Sequence, residues 1–156
     1  MVSVIAYNIR SLYNVGSIFR TADAFGISRI YLTGYTGRPD EHHNANKISK
    51  VALGAEKSVP WEYHRSAAKL INKLKKDRVR IVGLENNIPS DRRLIPLSKF
   101  KTKYPCALVL GEETKGIPKP ILKLCDDIVD IPMRGQKESL NVSVAFGVAA
   151  YSLIHP

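Results

Sequence analysis

Three uninterrupted apolar runs in the second half of the chain, "VRIVGLE", "CALVLG" and "DIVDIPM", constrain the fold more than any other feature. A strand with one wet face alternates apolar and polar residues. Runs that are apolar at successive positions suit strands buried on both faces, as in parallel sheets covered by helices. Upstream, strand-like and helix-like segments take turns: "SVIAY", a helix after Asn14, "RIYLTGY", a short helix in "NKISKVALGA", and a Pro-containing edge strand in "SVPWEY". "SAAKLINKLKK" is helical, with Ala67, Leu70, Ile71 and Leu74 on one face. A closing helix follows Ser139. The alternation predicts an α/β fold: a single domain over residues 1–156, with a mostly parallel sheet and helices on both faces. Asn86 to Tyr104 is the least regular stretch and is expected to be a long loop. With 156 residues, 44% of them hydrophobic, the chain can bury a proper core.

Lys and Arg number 24 against 14 Asp and Glu, a net charge of +10. Such an excess favours a polyanionic partner, most often nucleic acid. Cys106 and Cys125 both sit in apolar surroundings and read as reduced core residues of a cytoplasmic protein. The first residues, "MVSVIAYNIR", lack the charged and apolar regions of a signal peptide. The most apolar segment, Leu140 to Ile154, falls short of the roughly 20 residues that span a bilayer, so no membrane association is expected.

In open α/β sheets, ligands bind beyond the carboxyl ends of the strands. Three polar segments lie there: "GLENN", "GEETKG" and "PMRGQKESLN". "GEETKGIP" lacks the Lys-Ser or Lys-Thr of a phosphate-binding P-loop, and no GxGxxG opens the first helix. His42 and His43 are adjacent but have no ligand partners at a suitable spacing, so no metal is expected.

The stretch "YNVGSIFRTADAFGI" has Val15, Ile18, Phe19, Ala22 and Phe25 at helical spacing, Asn14 as the expected N-cap and Gly26 at the C-terminal end. Arg20 lies off this stripe, four residues after Gly16. Its guanidinium is expected to fold back over the space at Gly16 toward Asn14 and hold an anion such as phosphate; the other reading is an ordinary solvated arginine. At the other end, "ESLNVSVAFGVAAYSLIHP" is apolar almost all round from Leu140. Ser139, Ser143, Gly147 and Ala150 form a stripe of small residues that permits close approach of another backbone, within the fold or across a dimer.

Taken together, "NIRSLYNVGSIFRTADAFG", "LVLGEETKGIP" and "IPMRGQKESLNVSVA" resemble the three motifs of the SPOUT superfamily, specifically the SpoU-like RNA ribose 2′-O-methyltransferases. They occur in that family's order and span most of the chain. Glu112 departs from the pattern, standing where many relatives carry Asn. The resemblance implies an S-adenosylmethionine-dependent enzyme with a C-terminal trefoil knot and a homodimer whose active sites lie near the subunit interface. It implies Asn14, Arg20, Glu113, Ser139 and Asn141 as active-site positions, and cofactor contacts from Leu84, Gly111, Ile131, Met133 and Leu140. No metal is required, and the chain resembles a bare catalytic domain without a separate RNA-binding extension. In this reading Arg20 holds the nucleotide's phosphate and stabilises charge on the attacking oxygen, because a guanidinium is a poor base. RNA, transfer or ribosomal, is the expected partner, with Arg20, Lys69, Lys73, Lys76, Arg92 and Arg93 as contacts. Lys99, Lys101 and Lys103 add to the second cluster. The alternatives are a non-catalytic RNA-binding protein on the same scaffold and a base-directed RNA methyltransferase.

Overall fold

The computed structural model describes residues 1–88 and 91–155. Pro89 and Ser90, within the stretch expected to be a loop, and the terminal Pro156 lie outside the described residues. Along the chain the elements are β1 (Val2–Tyr7), α1 (Leu12–Ala24), β2 (Arg29–Thr33), α2 (His42–Ala52), α3 (Ala55–Ser58), β3 (Trp61–His64), α4 (Ala67–Lys76), β4 (Arg80–Leu84), β5 (Leu94–Pro96), β6 (Cys106–Leu110), α5 (Lys119–Leu122), β7 (Asp127–Asp130) and α6 (Val142–Ile154). The strands form one sheet in the order β3-β2-β1-β6-β4-β7-β5, and every pairing is parallel.

Strand parity divides the core in two, because successive side chains point to opposite faces. Val2, Val4 and Ala6 of β1 and Cys106, Leu108 and Leu110 of β6 face one layer, with Phe19 of α1, Ile48 of α2 and Phe146 of α6. Ile5, Ala107 and Val109 face the other, against Leu70, Ile71 and Leu74 of α4 and Ile121 of α5. This accounts for the uninterrupted apolar runs. Both cysteines are buried and free, and burial pushes the Cys125 thiol up to about 12.

The structure departs from the sequence-based expectations at three places. First, the stretch 86–104 is not simply a loop, since Leu94 and Ile95 pair with Ile128 and Val129 of β7 to make an edge strand, followed by a 3₁₀ turn over Leu97–Lys99. A three-residue strand ending in Pro96 has no periodic signature, and only its neighbour makes it a strand. Second, α1 begins a turn earlier than expected, and its cap is Ser11, whose Oγ accepts the Asn14 N–H at 3.3 Å. The expected left-handed residue at its far end is present, with φ of 62° at Gly26. Third, Gly16 does not leave room for Arg20. A Cβ at that position would lie 2.5 Å from the Ile48 carbonyl oxygen and 3.0 Å from Val51 Cβ. The glycine therefore serves the close crossing of α1 and α2.

Candidate active site

Three chain segments meet beyond the carboxyl ends of β4, β6 and β7 and wall a cleft of about 510 Å³. The first is the loop 111–117, which curls back on itself. Glu112 N–H donates to the Gly116 carbonyl at 3.2 Å, and Gly116 N–H returns to the Glu112 carbonyl at 2.9 Å. The curl excludes a side chain at Gly111, whose Cβ would sit 2.3 Å from the Gly116 carbonyl carbon. It also places Gly116 in the left-handed region at φ 65°.

Glu85 and Asn86, the first residues beyond β4, bind the other two segments together. Glu85 Oε2 accepts the Ile117 N–H at 2.8 Å, while Oε1 accepts the N–H groups of Asn86 and Asn87, each at 3.0 Å. Asn86 Nδ2 donates to the carbonyls of Ile131 at 3.4 Å and Glu138 at 3.2 Å. The sequence reading singled out "GLENN" but assigned a role only to Leu84. The missed signal was a carboxylate and an amide directly beyond a buried parallel strand, where a polar side chain has neighbouring loops to tie down.

On the rim, α1 joins the cleft through Glu113. Its carboxylate accepts the Arg10 N–H at 3.1 Å, the Ser11 N–H at 3.0 Å and the Asn14 Nδ2 at 3.1 Å. Asn141 Nδ2 donates to Asn14 Oδ1 at 3.2 Å, and Asn141 Oδ1 caps α6 by accepting the Ser143 N–H at 2.9 Å. Burial raises the Glu113 pKa, but the backbone donors of Ser11, Glu113 and Arg10, with the Asn14 amide, outweigh it and leave the carboxyl below the ordinary glutamate value. Glu112, the departure from the motif, is buried, accepts Thr114 Oγ1 at 3.0 Å and lies 3.5 Å from the Arg10 guanidinium.

The structure thus brings Asn14, Glu113 and Asn141 into one hydrogen-bonded chain, with Ser139, Leu140, Leu84 and Gly111 on the cleft wall. Ile131 and Met133 are half-buried and stand back from that wall; Ile131 enters only through its carbonyl. Arg20 is exposed and lies six residues along α1 from Asn14, about 9 Å at helical rise, so it does not face the cleft of its own chain. Lys69, Lys73, Lys76 and Arg93 are exposed, whereas Arg92 is half-buried and donates to the Cys125 carbonyl at 2.8 Å. No group of three or more His, Cys, Asp or Glu among the described residues could hold a metal ion, and no helix there is long and apolar enough to cross a membrane.

Residues 1–151 match the family model of the SpoU rRNA methylases. The chain belongs to the SpoU rRNA methylase family. Its SpoU relatives include the 23S rRNA (guanosine-2′-O-)-methyltransferase RlmB of Ralstonia nicotianae, 33% identical over 143 residues that make up 91% of this chain and 53% of that protein. The chain spans about half the length of the curated relatives it matches. Among solved SpoU structures, the methyltransferase AviRb of Streptomyces viridochromogenes in complex with AdoMet superposes with a TM-score of 0.84 at 25% identity, covering 98% of this chain and 56% of that one. The A. aeolicus TrmH/SpoU tRNA modifying enzyme does so with a TM-score of 0.84 at 26% identity, covering 99% and 74%. The parallel seven-stranded sheet is therefore the SpoU fold.

Proposed function

We propose that this chain is an S-adenosylmethionine-dependent methyltransferase that acts on a ribose 2′-hydroxyl of RNA. The observation that carries the reading is the Glu113–Asn14–Asn141 chain, which ties three segments remote in sequence to the rim of one cleft. The cleft's chemistry fits the cofactor. Leu84, Leu110, Leu140, Val142 and Ala145 offer apolar walls for a purine. Glu85, Glu112, Glu113 and Glu138 suit a cationic centre better than the single Lys115 suits an anion. When bound, the cofactor supplies a methyl group activated on a sulfonium. The Asn14 and Asn141 amides, fixed by Glu113, are suited to orient the ribose. Arg20 stabilises the developing negative charge and holds the phosphate, and the hydroxyl proton leaves to a phosphate oxygen or water.

A homodimer belongs to this reading. Val144, Val148 and Tyr151 form an exposed apolar stripe along α6, extended by Leu140 just before its cap; they are 52%, 43%, 59% and 37% exposed. Leu140 lies on both the stripe and the cleft wall, so a second copy seated there would abut the cleft, and in this reading it is the second copy's Arg20 that serves it. The C-terminal trefoil knot is supported by the strand order, which sends the chain from β4 out to β5, back to β6 and out again to β7. It is also supported by the bonds from Asn86 to both ends of the 131–138 segment. Two buried, reduced cysteines are consistent with work in the cytoplasm.

The test separates cofactor binding from chemistry. Calorimetry in chelator is expected to show S-adenosylhomocysteine binding by the wild-type chain and by Arg20→Ala alike. Single-turnover methyl transfer to RNA should fall by roughly 100-fold or more in Arg20→Ala, and Arg20→Lys should recover only part of it. Cofactor binding without any methyl transfer by the wild type would favour the non-catalytic RNA-binding reading. Methylation of a base would favour the base-directed one.

A further inference from the structure

A second cavity, larger than the cleft at about 850 Å³, lies beyond the carboxyl ends of β1, β2 and β3 and ends against the first turn of α4. Its wall holds Tyr7, Tyr35, Tyr63, His64, Arg65 and Lys69, and no carboxylate among the described residues. The cleft, with four glutamates, has the opposite electrostatic character.

Tyr35 is the residue that most needs an explanation. Its side chain is 82% exposed, yet the backbone beneath it is held from every side. Asn8, itself left-handed at φ 51°, accepts the Tyr35 N–H on Oδ1 at 2.8 Å. Gly34 is left-handed at φ 63°, and a Cβ there would lie 2.0 Å from that same Oδ1. Thr36 Oγ1 is buried, accepts the Ile9 N–H at 3.0 Å and reaches the carbonyls of Ala6 at 3.0 Å and Thr33 at 2.9 Å. The Tyr63 hydroxyl donates to the Gly34 carbonyl at 3.0 Å, and the Arg38 guanidinium sits 4.7 Å from the centre of the Tyr63 ring. Two positive-φ residues in sequence-remote loops therefore cooperate to hold an aromatic ring out in water.

A shallow groove adjoins this cavity on the side toward the cleft. Tyr35 and Tyr63 line both the cavity and the groove, and Arg10 lines the groove. Arg10 in turn reaches Glu112 and, through its N–H, Glu113. The path runs along the carboxyl edge of the sheet across β6, β1, β2 and β3, about 15 Å at the spacing of adjacent strands. That is the reach of a short single-stranded stretch. An exposed aromatic ring beside cations that make no ion pair among the described residues is what a base and its phosphate require.

We propose that Tyr35 and Tyr63, with Arg65 and Lys69, form a second nucleotide subsite, where a base of single-stranded RNA a few residues from the methylated ribose stacks and its phosphate is held. The proposal rests on the RNA reading of the cleft and adds how the flanking strand is gripped. Fluorescence-labelled oligoadenylate and an abasic ribose-phosphate strand of equal length, titrated by anisotropy across a salt series, test it. Tyr35→Ala is expected to weaken oligoadenylate binding about tenfold and leave the abasic strand unaffected, while Tyr35→Phe retains wild-type affinity. Arg65→Gln should weaken both strands and make the salt slope shallower by about 0.7. Oligoadenylate affinity unchanged within twofold in Tyr35→Ala, or no binding of oligoadenylate by the wild type, overturns the subsite. S-adenosylhomocysteine binding, measured on the same proteins, keeps the two readings apart. Cofactor binding without Tyr35-dependent stacking removes the subsite alone; stacking without cofactor binding leaves the subsite standing and removes the methyl-transfer reading.

Discussion

Glu113 shows how much one side chain can organise. It is exposed, yet its two oxygens accept three N–H donors from the entry of α1, so it fixes where that helix begins relative to the loop after β6. Because those donors favour the charged form, the folded pKa lies below the ordinary value of 4.5. The sign follows from linkage. The stabilisation is complete above the unfolded value and is lost as pH falls through the lower folded value. Glu113→Gln is therefore expected to be modestly less stable near neutral pH, the loss reduced by solvent screening at this exposed position, and to unfold with a flatter acid limb than the wild type. Urea midpoints measured from pH 3 to 7 (about half-unit steps, with the ordinary carboxylate range inside the window) would show the two curves converging at the acid end. Curves that stay parallel would mean that Glu113 makes no such contribution. Asn141 has a comparable double use, capping α6 with its oxygen and reaching Asn14 with its nitrogen.

Among the elements, the α1–α2 crossing is the most demanding contact. Gly16 is buried and meets backbone atoms of α2, which cannot rotate away as a flexible side chain can. An alanine there would gain up to about 1 kcal/mol in helix propensity. The overlap at 2.5 Å from the Ile48 carbonyl oxygen opposes that gain, and overpacking against backbone costs about 1–3 kcal/mol. The overlap wins, so Gly16→Ala is expected to be destabilised by roughly 1–2 kcal/mol in chemical denaturation. A stabilised variant would show that the helices can separate without penalty. The helix itself, including the face that carries Val15, Ile18, Phe19 and Ala22, was legible in the sequence because its apolar spacing is local. Its partner across Gly16 was not, since a glycine records that something comes close but not what.

At the scale of the whole molecule, α6 has two unlike sides. Phe146, Ala149, Ala150 and Leu153 are buried in the core, while Val144, Val148 and Tyr151 face outward. A Cβ at Gly147 would meet nothing within 4 Å, so the small-residue stripe is not fully packed inside one chain. If the outward side is a dimer interface, sedimentation equilibrium at micromolar concentration should give about twice the 17.4 kDa chain mass. Val148→Glu should give the single-chain mass with its secondary structure intact, since a charge desolvated in an apolar contact opposes association. A monomeric wild type would also remove the route by which a second Arg20 reaches the cleft.

The chain alone made the central strands, their burial on both sides and the faces of the long helices legible. These follow from continuous apolar runs and from the 3.6-residue helical period, both contained in short windows. It also marked the three segments that wall the cleft, because polar residues after buried strands have few other places to lie. Which strands are neighbours, and hence that Leu94–Pro96 is a strand at all, became visible in the folded chain. It alone decided that Glu113 meets Asn14 across 99 residues and that Asn14 meets Asn141 across 127. It also turned Gly16 toward α2 and held Tyr35 out over a cavity lined from three strands. The physical reason is one of range. Periodicity tells a side chain which face to take, but a hydrogen bond or close contact between distant segments is specified by both ends together, and neither end carries a local trace of the other.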